Sequence, residues 1–161
     1  LTGSCDFDVD TCTYSNTGSY SWTRLSGGTG SSDTGPSGDH TSGSGYYMYT
    51  EASSNYNRLF VLESAVGAGA VYVEFWYHMY GSAMGTLSFD TSTDGGATWT
   101  TQWTLSGDQG NEWHQAAVEF DLGHHPQRDE FGRQRGSVGE AGGDVSPGGT
   151  KARAESNAVR Q

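Results

Sequence analysis

Three aspartates, Asp6, Asp8 and Asp10, stand between Cys5 and Cys12, and a fourth, Asp39, lies in Gly38-Asp39-His40-Thr41. A hard cation such as Ca²⁺ takes six to eight oxygens, commonly from carboxylates and loop carbonyls. These aspartates are therefore the residues to weigh as a cation site. Their spacing matches no EF-hand loop, because the required Gly and the final bidentate Glu are missing. On residue types alone, solvated acidic turns are the favoured reading and a cation site the alternative.

The two cysteines are the chain's only ones. A reduced pair of a cytosolic protein is one reading, and a thiolate metal site needs more ligands than two cysteines. Acidic neighbours raise a thiol pKa and argue against a reactive nucleophile. A structural Cys5–Cys12 disulfide is the preferred reading, and it implies an oxidising, extracellular setting. Closing so short a loop stabilises by about 2.5 kcal/mol on the chain-entropy estimate.

Other chemistry is thin. The five histidines form no zinc pattern: His124 and His125 are adjacent, and there is no His-Glu-x-x-His. His78 sits at strand spacing and reads as a packed, hydrogen-bonded side chain. No Gly-x-Ser-x-Gly elbow occurs, and no acidic pair identifies itself as general acid and base. We expect no enzyme. Ser92-Thr93-Asp94-Gly95-Gly96-Ala97-Thr98-Trp99 resembles the Asp box of sialidase propellers. A propeller needs several blades and repeated boxes, so a single copy reads as a hairpin. In it Asp94 accepts backbone amides and Trp99 covers the turn.

The elements that must position these residues are strands. From Val71 to Tyr80 the chain alternates, with Val71, Val73, Phe75, Tyr77 and Met79 on one face. Tyr72, Glu74, Trp76, His78 and Tyr80 form a mixed face, turned to a second layer or to solvent. Thr86–Asp90 begins another alternating strand, and Tyr46–Glu51, Arg58–Glu63, Thr98–Leu105 and His114–Leu122 are further short candidates. No stretch keeps helical apolar spacing. Short strands parted by Gly- and Ser-rich turns predict an all-β, antiparallel sandwich of jelly-roll or immunoglobulin-like type. Residues 26–45, rich in Gly with Pro36, form a loop long enough to be functional or disordered.

Composition divides the chain. Residues 1–122 hold two cations, Arg24 and Arg58, against 14 carboxylates, and 19 of the 20 aromatics. Residues 123–161 hold six cations, five carboxylates and one aromatic. We read 1–122 as the globular domain and 123–161 as a Gly/Arg-rich tail with too little to bury to stay ordered. The formal net charge of −11 is wrong for phosphate backbones, so nucleic acid is excluded as a partner. No apolar run approaches the roughly 20 residues of a membrane span. No Asn-x-Ser/Thr acceptor occurs. The first residue is Leu1, so the chain is read as a piece of a larger, secreted or membrane-anchored polypeptide.

Several segments then resemble, in order, those of a MAM domain. They are Cys5-Asp6-Phe7-Asp8 with Cys12, Trp22-Thr23-Arg24, and Thr34-Gly35-Pro36-Ser37-Gly38-Asp39-His40-Thr41 followed by Gly43-Ser44-Gly45-Tyr46-Tyr47. Phe75-Trp76-Tyr77-His78-Met79-Tyr80-Gly81 with Gly85-Thr86-Leu87, and Gly107-Asp108-Gln109-Gly110-Asn111-Glu112-Trp113, complete the set. The resemblance covers about residues 4–122. It implies an antiparallel jelly-roll β-sandwich and a non-catalytic extracellular module, of the kind found in receptor phosphatases, neuropilins and meprin-type proteases. It also implies adhesion or oligomerisation through an extracellular protein partner, including homophilic contact. Some members hold a cation near the start of the domain, which here concerns Asp6, Asp8 and Asp39, with Ca²⁺ or another hard cation as a structural rather than required cofactor.

Two departures stand out. A second disulfide that the family usually has, starting near Tyr72, lacks both its cysteines here. After Leu122 the strands expected to close the sandwich give way to Gly-rich sequence. We read this as a truncated domain or a reading-frame or exon-boundary artefact, with the last strands missing from the sandwich. Tyr46, Tyr47 and Tyr80 are the candidate binding anchors on the sheet face or long loops, with burial as the competing fate of each. The alternatives to protein recognition are a glycan-binding sandwich with a Ca²⁺-type site and an accessory domain of a secreted protease.

Overall fold

A computed structural model describes residues 4–65, 72–120 and 151–157, the last seven and Ala65 by their backbone. Among the described residues nine strands follow in chain order: β1 (Tyr14–Asn16), β2 (Thr23–Ser26), β3 (Tyr46–Tyr49), β4 (Leu59–Ala65), β5 (Tyr72–Tyr77), β6 (Thr86–Ser92), β7 (Thr100–Ser106), β8 (His114–Glu119) and β9 (Lys151–Asn157). No helix occurs among the described residues. The strands pair antiparallel throughout: a five-stranded sheet in the order β1-β4-β9-β6-β7, and two pairs, β2-β3 and β5-β8. This is the antiparallel β-sandwich that the alternation predicts.

The core explains the alternation. Val73, Phe75 and Tyr77 of β5 and Ala116 and Val118 of β8 turn toward Phe89 of β6 and Trp103 of β7. Phe75 meets Trp103 edge-on at 5.2 Å, and Phe120 lies 5.8 Å from Phe89, geometries that aromatic quadrupoles favour. Directly opposed residues of an antiparallel pair share a face. The pairs Tyr72↔Glu119, Glu74↔Ala117 and Trp76↔Gln115 therefore form the opposite face, and all six residues are exposed. The mixed face of β5 looks out to solvent.

Strand β9 is a difference from the sequence reading. Its backbone pairs in register with β4 from Leu59↔Asn157 to Ala65↔Lys151, and with β6 from Thr86↔Asn157 to Ser92↔Lys151. A strand drawn from the expected tail thus sits at the centre of the larger sheet, where the sandwich was expected to lack its closing strands. Lys-Ala-Arg-Ala-Glu-Ser-Asn offers only two alanines at alternate positions, too weak a period for an apolar pattern to reveal. A central strand is held by backbone hydrogen bonds on both edges, which composition does not report. The rest of the expected tail, 123–150 and 158–161, lies outside the described residues, as do residues 121–122 of the expected domain and Val71 of the predicted inner face.

The long loop is ordered by packing. Pro36, Gly38 and Asp39 are buried. Thr34 Oγ1 and the Gly35 amide both donate to the Tyr80 carbonyl, at 2.8 and 3.1 Å, and Trp113 Nε1 donates to Gly38 O at 3.2 Å. These bonds seat the loop against the end of β5 and the start of β8.

Candidate functional site

The acidic residues near the N-terminus resolve into a framework of turns. Cys5 and Cys12 are joined in a disulfide. Within its loop Asp6 Oδ1 accepts the Asp8 amide and Asp10 Oδ1 accepts the Cys12 amide, each reaching two residues on, as Asx-turns do. Asp8 Oδ1 leaves this loop to accept the Tyr46 amide at 2.8 Å. Asp39 is fully engaged: Oδ2 accepts the Thr41 and Ser42 amides, and Oδ1 accepts the Gly45 amide and the Ser42 hydroxyl. The Ser42 amide foremost, joined by the Gly45 amide, the Ser42 hydroxyl and the Thr41 amide, holds its carboxyl down at about 2 against the opposing effect of burial.

Asp8 and Asp39 meet at Gly45, where an added Cβ would collide with Asp8 Oδ1 and stand 3.1 Å from the Asp39 Cγ. The structure thus brings two of the three candidate ligands together. A carboxylate has about four acceptor positions, and all four of Asp39 are taken by protein donors. Among the described residues no three His, Cys, Asp or Glu side chains are arranged to hold a metal ion.

The single-copy Asp box is a hairpin. Asp94 accepts the Thr98 hydroxyl at 2.6 Å and the Thr98 amide at 2.9 Å, and Ser92 Oγ donates to it at 2.7 Å. These bonds, the Thr98 hydroxyl foremost, press its pKa well below the usual carboxylate range. Gly95 and Gly96 take positive φ, and Trp99 Nε1 closes the turn on Gly96 O.

The aromatic anchors are distributed differently from the sequence expectation. Tyr47 is buried, with its hydroxyl donating to Gly27 O, and burial raises its pKa. Tyr46 is 38% exposed, but its ring lies under the Arg24 guanidinium at 3.5 Å. Arg24 is itself tied to the carbonyls of Phe7 and Asp8. Tyr80 is half-buried beside His78, and its carbonyl receives the long loop.

The two most exposed aromatics among the described residues are Tyr72 and Trp76, at 48% and 44% exposure on the outer face of β5. His40, carried by the ordered loop, stacks on the Trp76 indole with ring centroids 3.5 Å apart. Trp113 meets both His40 and His78 edge-on. His78 Nε2 lies 3.2 Å from Asn111 Oδ1, which makes it the donor, and burial lowers the imidazole pKa. Tyr72 hydrogen-bonds Glu74, and this bond raises the phenol pKa. Sequence reasoning saw that this face was mixed without placing it outside. The polar outer residues of β8, Gln115 and Glu119, carried the missing signal.

Comparison with known proteins places these features in a family. The family model described as MAM domain, meprin/A5/mu, matches residues 5–142, beyond the boundary at 122 read from composition. Human MAM domain-containing protein 2 is 37% identical over 124 residues, covering 73% of this chain and 18% of that protein. Neuropilin-1a of Danio rerio is 38% identical over 126 residues, covering 71% of this chain and 14% of the relative. Human MAM domain-containing glycosylphosphatidylinositol anchor protein 1 is 38% identical over 129 residues, 71% of this chain and 13% of its own length. The chain thus spans under a fifth of the length of each.

Proposed function

This chain belongs to the MAM domain family, and we propose that it acts as a non-catalytic, extracellular recognition module mediating protein–protein contact within a larger secreted or membrane-anchored protein. The observation that carries this reading is the exposed Tyr72–Trp76 face of β5. Aromatic side chains left open on a rigid sheet are the anchors from which interface affinity is commonly built. The Cys5–Cys12 disulfide supports an oxidising, cell-surface setting. Relatives that include a neuropilin and a protein named for a glycosylphosphatidylinositol anchor support the same setting. Among the described residues no helix is long and apolar enough to cross a membrane.

The test is a fluorescent multimer of the full chain applied to live cells, beside its Trp76→Ala variant. Binding that needs Trp76 and disappears after brief surface proteolysis is the expected result. Binding that survives proteolysis but is lost after glycosidase treatment would replace this reading with a glycan-binding one. Binding indifferent to Trp76 would refute the assigned face.

A further inference from the structure

The outer face of β5 and β8 has a charge as well as a shape. Tyr72, Glu74 and Trp76 stand opposite Glu119, Ala117 and Gln115, and all six are exposed. Two carboxylates flank two open aromatic rings with no Lys or Arg among them. The two Arg side chains of residues 4–65 and 72–120 are committed elsewhere: Arg24 to Tyr46 and the Phe7 and Asp8 carbonyls, Arg58 over the Tyr20 ring. We infer that this face docks a Lys- or Arg-bearing segment of a heterologous protein partner, with the cation seated against the Trp76 and Tyr72 rings and paired to Glu74 and Glu119. This deepens the recognition reading and rests on it.

The chemistry favours this occupant over the others. Guanidinium and ammonium groups are drawn to the faces of Trp and Tyr rings and are strengthened further by a carboxylate within reach. A second copy of this chain is a poor occupant. Two-fold contact of the face with itself would gather Glu74 and Glu119 of both copies in one dehydrated patch without a compensating cation. One face of the Trp76 indole stays free beside His40, and a neutral sugar stacked there would leave both carboxylates without a counter-charge.

The test uses the full 161-residue chain and defined probes in calorimetric titrations at near-physiological salt: hexa-arginine peptide, hexaglutamate peptide and chitohexaose. Hexa-arginine is expected to bind, and about five- to tenfold more weakly to both Glu74→Gln/Glu119→Gln and Trp76→Ala. A control with two carboxylates removed off this face, Asp33→Asn/Glu51→Gln, is expected to stay within about twofold, as for distant, independent charges. Equal weakening in the control would mean general attraction to an acidic chain and would overturn the inference. So would Trp76-dependent chitohexaose binding, or Trp76-dependent self-association in sedimentation. Every substituted side chain is at least partly exposed, and matched thermal melts establish that the variants fold. If hexa-arginine fails while the cell-surface signal still needs Trp76, the partner chemistry falls and the recognition reading stands. If the cell-surface signal is also absent, both fall.

Discussion

Asp39 and Asp94 hold two different turns by one device, a carboxylate that collects donors from residues two to six positions on, joined at Asp94 by Ser92 two positions before it. Because such bonds favour the charged form, each carboxyl is more acidic folded than unfolded. The linked stability is fully present above the ordinary value of 3.8 and is lost as pH falls toward about 2 for Asp39. Asp39→Asn is therefore expected to melt below the parent near neutral pH, with the gap closing under acid; a gap unchanged from neutral pH down to the acid limit would disprove the assignment. At Gly45 the constraint is space. Gly45→Ala would push a methyl group into Asp8 and Asp39, and overpacking of this kind costs about 1–3 kcal/mol, read as a lowered denaturant midpoint. At this scale the sequence was half legible. Asp8 and Asp39 stood out by type and do converge, whereas the filling of Asp39's acceptor positions depends on backbone amides, which no side-chain pattern records.

Among the elements, β5 was the most legible, since its strict alternation places every described residue on the face the period assigns. Its inner side is the keystone of the sandwich through Phe75, Phe89 and Trp103. Phe89→Ala is expected to cost about 3–5 kcal/mol in chemical unfolding, the range for removing a large buried aromatic; a loss under about 1 kcal/mol would mean that Phe89 is not a core residue. The outer side of the strand was ambiguous because an aromatic at an alternate position fits a second layer as well as an interface. Strands β1 and β2 are three and four residues long, too short for periodicity to register. Strand β9 was illegible for another reason: its place depends on pairing with β4 and β6, which lie far away in sequence. Proline cannot donate to the ladder of a central strand. Ala154→Pro is accordingly expected to abolish cooperative unfolding, or to lower the melting temperature sharply, in circular dichroism. An unchanged melt would remove β9 from the sheet.

Over the whole molecule, the net charge of −11 averages two different stretches. Residues 1–122 carry −12, from two cations and 14 carboxylates, and the remaining 39 carry +1, from six and five. Such an imbalance favours association with cationic partners and makes it fall with ionic strength. The disulfide anchors the opposite end of the chain, and Cys5→Ser/Cys12→Ser is expected to lose about 2.5 kcal/mol in urea unfolding. A variant as stable as the parent would show that the aspartate turns alone hold that loop. The position of β9 also bears on how the protein is made. The strand at the middle of the larger sheet is the last of the nine to leave the ribosome, so until Asn157 emerges β4 and β6 have no common neighbour. Two strand edges must therefore wait through the synthesis of the last third of the domain, an interval in which neighbouring nascent chains can pair with them.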